Sequence, residues 1–193
     1  MQTICVYCAS STQIMPQYFD ATARLGEIIA KAGFSVVFGG GSSGLMGKLA
    51  DSMLNNKGSV VGVIPKFMCD ENWHHSGLSE LIIVETMHER KALMAQMADA
   101  IVALPGGCGT FEELMEAITW KQLGIISIPI VILNIAGYYD PMIEMLNRAI
   151  EEKFMRDVHK NMWVVVNSAE EVLPAIELNK GNWDKNARKF AAI

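Results

Sequence analysis

A glycine-rich stretch near the middle of the chain has the residue types best suited to holding an anion. Its sequence is LPGGCGTFEE, from Leu104 to Glu113. It follows an apolar run that predicts a buried strand, and it leads into an amphipathic stretch, Phe111 to Leu123, that predicts a helix. Glycines let backbone N–H groups approach a ligand closely, and the start of a helix adds partial positive charge. The stretch therefore predicts a phosphate site at a strand-to-helix turn.

Glu113 lies one turn into that predicted helix, and the sequence allows two roles for it. A carboxylate at this position is within reach of whatever the phosphate is attached to. Thr110 and Glu113 also have the T-x-x-E spacing of a capping box, in which the glutamate only satisfies backbone N–H groups. Acidic residues near a helix start are favoured by the helix dipole in any case. Both roles stay open at this point.

Two adjacent cations, Arg90 and Lys91, lie near the start of another predicted helix, Thr86 to Met97. The T-x-x-E spacing of Thr86 and Glu89 predicts a capping box at the start of this helix. The helix dipole disfavours cations in the first turns, so the pair needs an explanation. Pairing with Glu89 or Glu85 is one explanation, and an anionic ligand is the other.

A second glycine-rich turn, Gly39 to Gly44, matches the G-x-G-x-x-G pattern of dinucleotide sites. Such a site needs an acidic residue near the end of the next strand to hold the ribose hydroxyls. That strand ends in Gly62-Val63-Ile64-Pro65-Lys66, which has no acidic residue, so an NAD site is not expected. A P-loop is excluded because Gly47-Lys48 is followed by leucine. The turn predicts either tight strand–helix packing or a phosphate or ribose contact.

The composition excludes several classes of function. The net charge is −5 and the chain has no basic run, so nucleic acid is not expected as a partner. Cys5, Cys8, Cys69 and Cys108 do not form the dense, even framework of a secreted disulfide protein. Cys5 and Cys8 have C-x-x-C spacing but lie on a predicted strand, where positions i and i+3 face opposite sides. They predict buried thiols rather than a redox motif.

Metal sites and membrane segments are not expected either. His74 and His75 have no companions at metal-ligand spacing. No cationic start precedes an apolar segment, and no apolar run approaches membrane-spanning length. We therefore expect a cytoplasmic protein that does not bind a membrane.

Apolar runs alternate with amphipathic stretches along the whole chain. Strands are expected at 3–9, 34–38, 59–64, 80–84, 99–104, 128–134 and 163–166, and helices at 16–32, 45–56, 86–97, 111–123, 141–153 and after 171. Because the strands are apolar without strict alternation, they predict a parallel sheet covered by helices on both faces. Ligands in such α/β folds bind beyond the carboxyl ends of the strands. Both glycine-rich turns lie at such ends, so we expect them in one crevice.

The chain is expected to form one domain, residues 1–180, followed by a polar tail, residues 181–193. The polar stretch from Lys66 to Leu78 is expected to be irregular, and its length indicates a functional flap or an interface loop.

Four motifs in order carry a resemblance to the LOG ("lonely guy") family, which is often mislabelled as lysine decarboxylase. Residues 105–113, PGGCGTFEE, resemble its PGGxGTxxE signature, and residues 39–47 resemble its GGGSxGLMG. Residues 87–94 resemble its MHxRKxxM, and residues 62–65 resemble the piece that precedes its flexible loop. The resemblance runs from about residue 4 to about residue 178. Ala9 is a small departure, since many members have glycine there.

The resemblance implies a Rossmann-like, doubly wound fold, a homodimer and no cofactor. It implies hydrolysis of the N-glycosidic bond of N6-modified adenosine (cytokinin) 5′-monophosphates, and of AMP in many members, to free base and ribose 5-phosphate. The catalytic pair then falls on Arg90 and Glu113. The expected substrate contacts are Ser10, Gly40, Gly41, Lys91, Gly106, Gly107, Gly109 and Thr110.

Two alternatives to the cytokinin enzyme stay open. One is a broad purine nucleoside 5′-monophosphate nucleosidase, and the base pocket decides between the two. Met87 and Met94 either line a pocket that admits an isoprenoid tail or belong to the ordinary core. The other is a non-catalytic nucleotide or pterin carrier on the same fold. The presence of both Arg90 and Glu113 argues against a pure carrier.

Overall fold

Seven parallel strands form a single sheet in a computed structural model that describes residues 2–183. The strand order is β4-β3-β2-β1-β5-β6-β7. The strands are β1 (Thr3–Tyr7), β2 (Ser35–Phe38), β3 (Val60–Pro65), β4 (Glu80–Val84), β5 (Ala100–Ala103), β6 (Ile130–Leu133) and β7 (Val164–Val166). The helices are α1 (Pro16–Lys31), α2 (Gly44–Asn55), α3 (Lys66–Asp70), α4 (Met87–Gln96), α5 (Cys108–Gln122), α6 (Asp140–Glu151) and α7 (Val172–Asn179).

The strand order reverses direction between β1 and β5. From β1 the chain builds outward through β2, β3 and β4, and it then returns to the other side of β1 with β5. The loops that leave these two central strands diverge to opposite faces of the sheet, which opens a crevice at the carboxyl ends. The backbone N–H of Ala9, just after β1, donates to the carbonyl of Pro105, just after β5, at 3.3 Å. The predicted parallel α/β sheet is therefore confirmed, and it has a switch point at its centre.

Both faces of the sheet are buried under helices, as the apolar strands predict. One core lies between one face of the sheet and the helices α1, α2 and α7. Leu25, Leu49 and Ile176 are among its members. The other core packs the opposite strand faces against α4, α5 and α6, with Met94 and Leu114 among its members. Because every central strand lies between two apolar layers, its sequence is a continuous apolar run.

Most elements lie where the sequence predicts them, with two differences that matter for function. The helix after the central turn begins at Cys108, three residues before the predicted start at Phe111. The stretch from Lys66 onward is not wholly irregular, because Lys66–Asp70 forms the short helix α3. The 3-10 turns at Ile135–Gly137 and Asp157–Met162 have no counterpart in the prediction.

The sheet and its helices span residues 3–179, consistent with the expected single domain. The predicted polar tail, residues 181–193, lies outside the described residues from 184 onward. No helix within residues 2–183 combines the length and the apolar character needed to cross a bilayer.

Candidate active site

A cavity of about 590 Å³ opens at the carboxyl ends of the central strands. Both glycine-rich turns line it, Gly39 and Gly41 from one and Gly107 and Gly109 from the other. The prediction that the two turns share one crevice is therefore confirmed. The volume is within the range of ordinary small-molecule sites.

The start of α5 presents unblocked backbone to this cavity. Gly107 is the N-cap residue, and no side chain caps the helix. Gly107, Cys108 and Gly109 are exposed and line the cavity. The first N–H groups of a helix have no partner within the helix, and the helix dipole adds partial positive charge there. This end of α5 therefore has the geometry of an anion site.

The start of α2 differs, because its first N–H groups are already used. Leu45 N and Met46 N both donate to the carbonyl of Ala9, at 2.9 and 3.3 Å. Gly44 has φ +61°, and a Cβ atom on it would lie 2.5 Å from the carbonyl carbon of Ser10. Only glycine fits this close approach. Of the two readings of the first turn, tight strand–helix packing therefore accounts for Gly44.

Arg90 points from α4 into the cavity and lies against backbone. The residue is 7% exposed, and its Nε donates to the carbonyl of Val63 at 3.1 Å. Its Nη1 lies 3.8 Å from Glu113 Oε1 and contacts Met87 Sδ at 3.7 Å. The explanation that Arg90 pairs with Glu89 or Glu85 is wrong. Glu89 instead completes the predicted capping box with Thr86.

Glu113 is not the cap of α5. Because the helix begins at Cys108, Thr110 is the third helical residue and cannot be the N-cap. The Glu113 side chain is 10% exposed and lines the cavity. Burial raises the pKa of this carboxyl to about 7, although the nearby charge of Arg90 lowers it. A carboxyl that titrates near neutral pH suits proton transfer.

Lys91 faces away from the cavity, toward the flank of α5. It is 5% exposed, and its ammonium forms ion pairs with Glu112 and, at 3.0 Å, with Glu116. Burial lowers the pKa of Lys91, but the hydrogen bonds to the two glutamates outweigh it and the pKa is raised. Lys91 therefore keeps its charge and joins α4 to α5 at the residues on either side of Glu113.

The structure divides the ten residues predicted for the site into two groups. Seven of them line the cavity: Ser10, Gly41, Arg90, Gly107, Gly109, Thr110 and Glu113. Three lie behind its wall: Gly40, Lys91 and Gly106. The carbonyl of Gly40 accepts from His75 N at 2.8 Å, and a Cβ on Gly106 would lie 2.1 Å from Thr110 Oγ1. Gly106 is needed for this close approach, whereas Gly40 is favoured by its φ of +75°.

The apolar wall of the cavity contains more residues than Met87 and Met94, the two candidates that the sequence offers. Met68 and Trp73, from the stretch between β3 and β4, line it together with Met46. This stretch is held to the first glycine-rich turn by a bridge between Gly41 and His74. The predicted flap therefore reaches the cavity. Met87 also lines the cavity, whereas Met94 belongs to the core.

Metal and thiol chemistry have little support in the described part of the chain. Residues 2–183 contain no cluster of three His, Cys, Asp or Glu side chains suited to a metal ion. Cys5 and Cys8 are buried, as predicted, and burial raises the pKa of both thiols. Cys108 is exposed at the start of α5.

The sequence of this chain is similar to those of known proteins. Residues 46–176 match a family model described as "Possible lysine decarboxylase". The chain is 37% identical to the cytokinin riboside 5′-monophosphate phosphoribohydrolase LOG2 of Arabidopsis thaliana, covering 97% of this chain and 92% of that one. It is 42% identical to the probable cytokinin riboside 5′-monophosphate phosphoribohydrolase LOGL1 of Oryza sativa subsp. japonica. The similarity covers 90% of this chain and 78% of that one.

A solved structure with a similar fold is the molybdenum cofactor carrier protein of Chlamydomonas reinhardtii. It has a TM-score of 0.71 and 19% identity, covering 93% of this chain and 98% of that one. At this identity the likeness concerns the fold alone. The family model spans more than half of the chain, and the curated relatives are similar over nearly all of it. The chain therefore belongs to the LOG family, whose sequence model carries the lysine decarboxylase description.

Proposed function

We propose that this protein hydrolyses the N-glycosidic bond of cytokinin riboside 5′-monophosphates, and of AMP, to free base and ribose 5-phosphate. The observation that carries the proposal is the placement of Glu113 and Arg90 in one cavity with the open start of α5. The names of the curated relatives support the same reaction. In this proposal the start of α5 binds the phosphate, Glu113 and Arg90 contact the ribose, and the apolar wall contacts the base.

The phosphate binds at the start of α5. Gly107, Cys108 and Gly109 present backbone there, with Thr110 beside them. Backbone N–H groups and the helix dipole stabilise a dianion without a lysine or arginine in the turn itself. A phosphate held at this point fixes the position of the ribose. The anomeric carbon is then held in the correct orientation relative to Glu113.

Glu113 acts on the ribose. Breaking the glycosidic bond develops positive charge on the sugar ring, and a buried carboxylate stabilises that charge. The same carboxylate orients a water on the anomeric carbon and accepts its proton as the C1′–N9 bond breaks. The departing base leaves with the bonding electron pair and takes up a proton from solvent. With a pKa raised to about 7, Glu113 is a stronger base than an ordinary glutamate yet is still ionised in part at neutral pH.

Arg90 holds this arrangement in place. Its guanidinium lies 3.8 Å from the Glu113 carboxylate, longer than a direct hydrogen bond. A ribose hydroxyl that accepts from Arg90 and donates to Glu113 fits such a separation. Contact of Lys91 with the nucleotide stays a prediction, since its ammonium is engaged by Glu112 and Glu116.

The base lies against the apolar wall. Met46, Met68, Trp73 and Met87 supply an aromatic face and flexible thioether side chains. Trp73 suits stacking on a purine, and methionines adapt to substituents of different shape. This wall supports the acceptance of both adenine and an N6-isoprenoid adenine.

A pyridoxal phosphate decarboxylase fits the cavity poorly. That cofactor needs a lysine amine in the cavity as its attachment point. No lysine of residues 2–183 lines the cavity, and Lys91, the lysine beside Arg90, is bound by two glutamates. The decarboxylase description of the family model is therefore not adopted for this chain.

A homodimer in the cytoplasm that binds neither nucleic acid nor membranes completes the proposal. Met115, Leu123 and Ile125, on and just after α5, expose large apolar side chains that a second copy would cover. Sedimentation equilibrium tests the dimer, and a monomer at micromolar concentration would contradict it.

The test of function is product analysis. The purified protein is incubated separately with AMP, N6-isopentenyladenosine 5′-monophosphate and adenosine, and free base and ribose 5-phosphate are measured by chromatography. We expect release from both nucleotides, which ranks them, and little from adenosine, which lacks the phosphate. A folded protein that binds the nucleotides without releasing base would instead be a carrier.

A further inference from the structure

The turn that opens α5 contains two consecutive glycines, and this creates a problem for anion binding. A peptide group between two glycines can flip with little steric cost, because both residues tolerate positive and negative φ. One orientation of the Gly106–Gly107 peptide offers its N–H to the cavity, and the flipped one offers its carbonyl oxygen. A carbonyl oxygen facing a phosphate would repel it. Something outside the turn must therefore select the orientation.

Hydrogen bonds from outside the turn hold three successive carbonyls. Tyr139 OH donates to Leu104 O at 2.7 Å, and Ala9 N donates to Pro105 O at 3.3 Å. The hydroxyl of Tyr138 donates to the carbonyl of Gly106. Since the peptide group is planar and trans, the N–H of Gly107 points opposite to the Gly106 carbonyl. Gly107 lines the cavity and Tyr138 does not, so the N–H faces the cavity side.

Tyr138 is itself fixed on the far side of the turn. Its ring stacks on Phe111 with centroids 6.3 Å apart and lies edge-on to Tyr18 at 5.9 Å and to Tyr139 at 5.2 Å. Both tyrosines lie in the segment that follows β6. Asn134 stabilises this segment, because its Oδ1 accepts a hydrogen bond from Tyr139 N at 2.7 Å. Burial raises the pKa of the Tyr138 hydroxyl, so it stays protonated as a donor.

We propose that Tyr138 is a positioning residue for the phosphate site: its hydroxyl anchors the Gly106 carbonyl and so turns the Gly107 N–H toward the bound phosphate. This deepens the proposed function and rests on it for the identity of the anion. Nothing in the sequence motif points to Tyr138, which lies 32 residues from Gly106.

The test is Tyr138→Phe, which keeps the ring packing and removes the anchor. Tyr18→Phe is the matched control, because its hydroxyl makes no hydrogen bond within residues 2–183. We expect Tyr138→Phe to raise the KM for AMP and the inhibition constant of ribose 5-phosphate roughly 5- to 30-fold. The inhibition constant of free adenine and the melting temperature should stay near the wild-type values, and Tyr18→Phe should resemble wild type throughout.

Calorimetric titration with ribose 5-phosphate separates this proposal from the proposed function. Equal binding of ribose 5-phosphate by wild type and Tyr138→Phe, in a protein that hydrolyses AMP, would overturn the role of Tyr138 alone. Weaker binding by Tyr138→Phe, in a protein that hydrolyses no nucleotide, would support the role of Tyr138 and overturn the reaction. Equal loss of adenine and ribose 5-phosphate binding would show a merely structural tyrosine.

Discussion

Arg90 occupies the space that a side chain on residue 39 would need. A Cβ atom on Gly39 would lie 1.7 Å from Arg90 Nη2 and 2.9 Å from its Cζ. The guanidinium thus rests against the backbone just after β2, and from there its Nη1 reaches the neighbourhood of Glu113. The first glycine-rich turn serves the site by making room for a cation from α4.

Gly39→Ala should therefore displace Arg90 and lower activity without unfolding the protein. The clash falls on the end of a flexible side chain, so the fold can adapt. We expect kcat/KM to fall about 100-fold, the order of loss caused by a misplaced group. The double variant Gly39→Ala/Arg90→Ala should be no worse than Arg90→Ala alone, because both changes remove the same interaction. Near-wild-type activity of Gly39→Ala would contradict this role.

The rate should rise with pH through about 7, where Glu113 loses its proton. Only the carboxylate can accept a proton from water, so the protonated enzyme is inactive. The measurement is kcat/KM for AMP between pH 5.5 and 8.5, because this ratio reports the ionisation of the free enzyme. A flat profile over this range would contradict a basic role for Glu113.

Lys91 should set the position of that pH profile. The cation lowers the pKa of Glu113, whereas Glu112 and Glu116 raise it. Lys91→Met leaves the two glutamates unopposed, so the rising limb should move to higher pH, and Lys91→Arg should move it little. The substrate phosphate also titrates, with a pKa of about 6, but it would not respond to this exchange. Identical profiles in wild type and Lys91→Met would assign the limb to the substrate.

The burial of Glu113 should also be visible in stability. Its pKa is raised from 4.5 to about 7 in the folded protein, so between these values the folded state binds more protons than the unfolded state. Wild type therefore loses stability as pH rises through this window, and Glu113→Gln does not. Relative to wild type, the variant should gain up to about 3 kcal/mol between pH 4.5 and 7.

Urea unfolding at pH 5 and pH 8 measures this difference. Glu144→Gln on α6 provides the reference, because this exposed glutamate does not line the cavity. A stability difference between Glu113→Gln and wild type that is the same at both pH values would mean that Glu113 does not titrate in this window.

Local sequence predicts the parallel sheet and the cavity at its centre because apolar runs and glycine-rich turns are local signals. The sequence pattern puts the start of α5 three residues late, since a glycine N-cap at Gly107 has no side-chain signature. The T-x-x-E spacing at Thr110 was a false capping signal, whereas the same spacing at Thr86 was a true one. Spacing alone cannot distinguish the false capping box from the true one, because the distinction depends on the residue at which the helix begins.

Contacts between distant segments are the part that the sequence could not supply. The partners of Lys91 lie on another helix, and the space for Arg90 is created by a glycine on another strand end. Trp73 is held at the cavity by the bridge between its neighbour His74 and Gly41, which no local pattern encodes. Such pairings depend on the strand order, which places β2 beside β3 and β1 beside β5.

The most direct test of the account compares two adjacent carboxylates on α5. Glu112 and Glu113 both line the cavity, but the side chain of Glu112 is 55% exposed and paired with Lys91, whereas that of Glu113 is 10% exposed and faces Arg90. The measurement is the rate of ribose 5-phosphate release from N6-isopentenyladenosine 5′-monophosphate at pH 7.5. We expect Glu113→Gln to lose about 100-fold or more in kcat and Glu112→Gln to stay within about 5-fold of wild type. Equal activity of Glu113→Gln and wild type, with both proteins folded, would contradict the proposed mechanism.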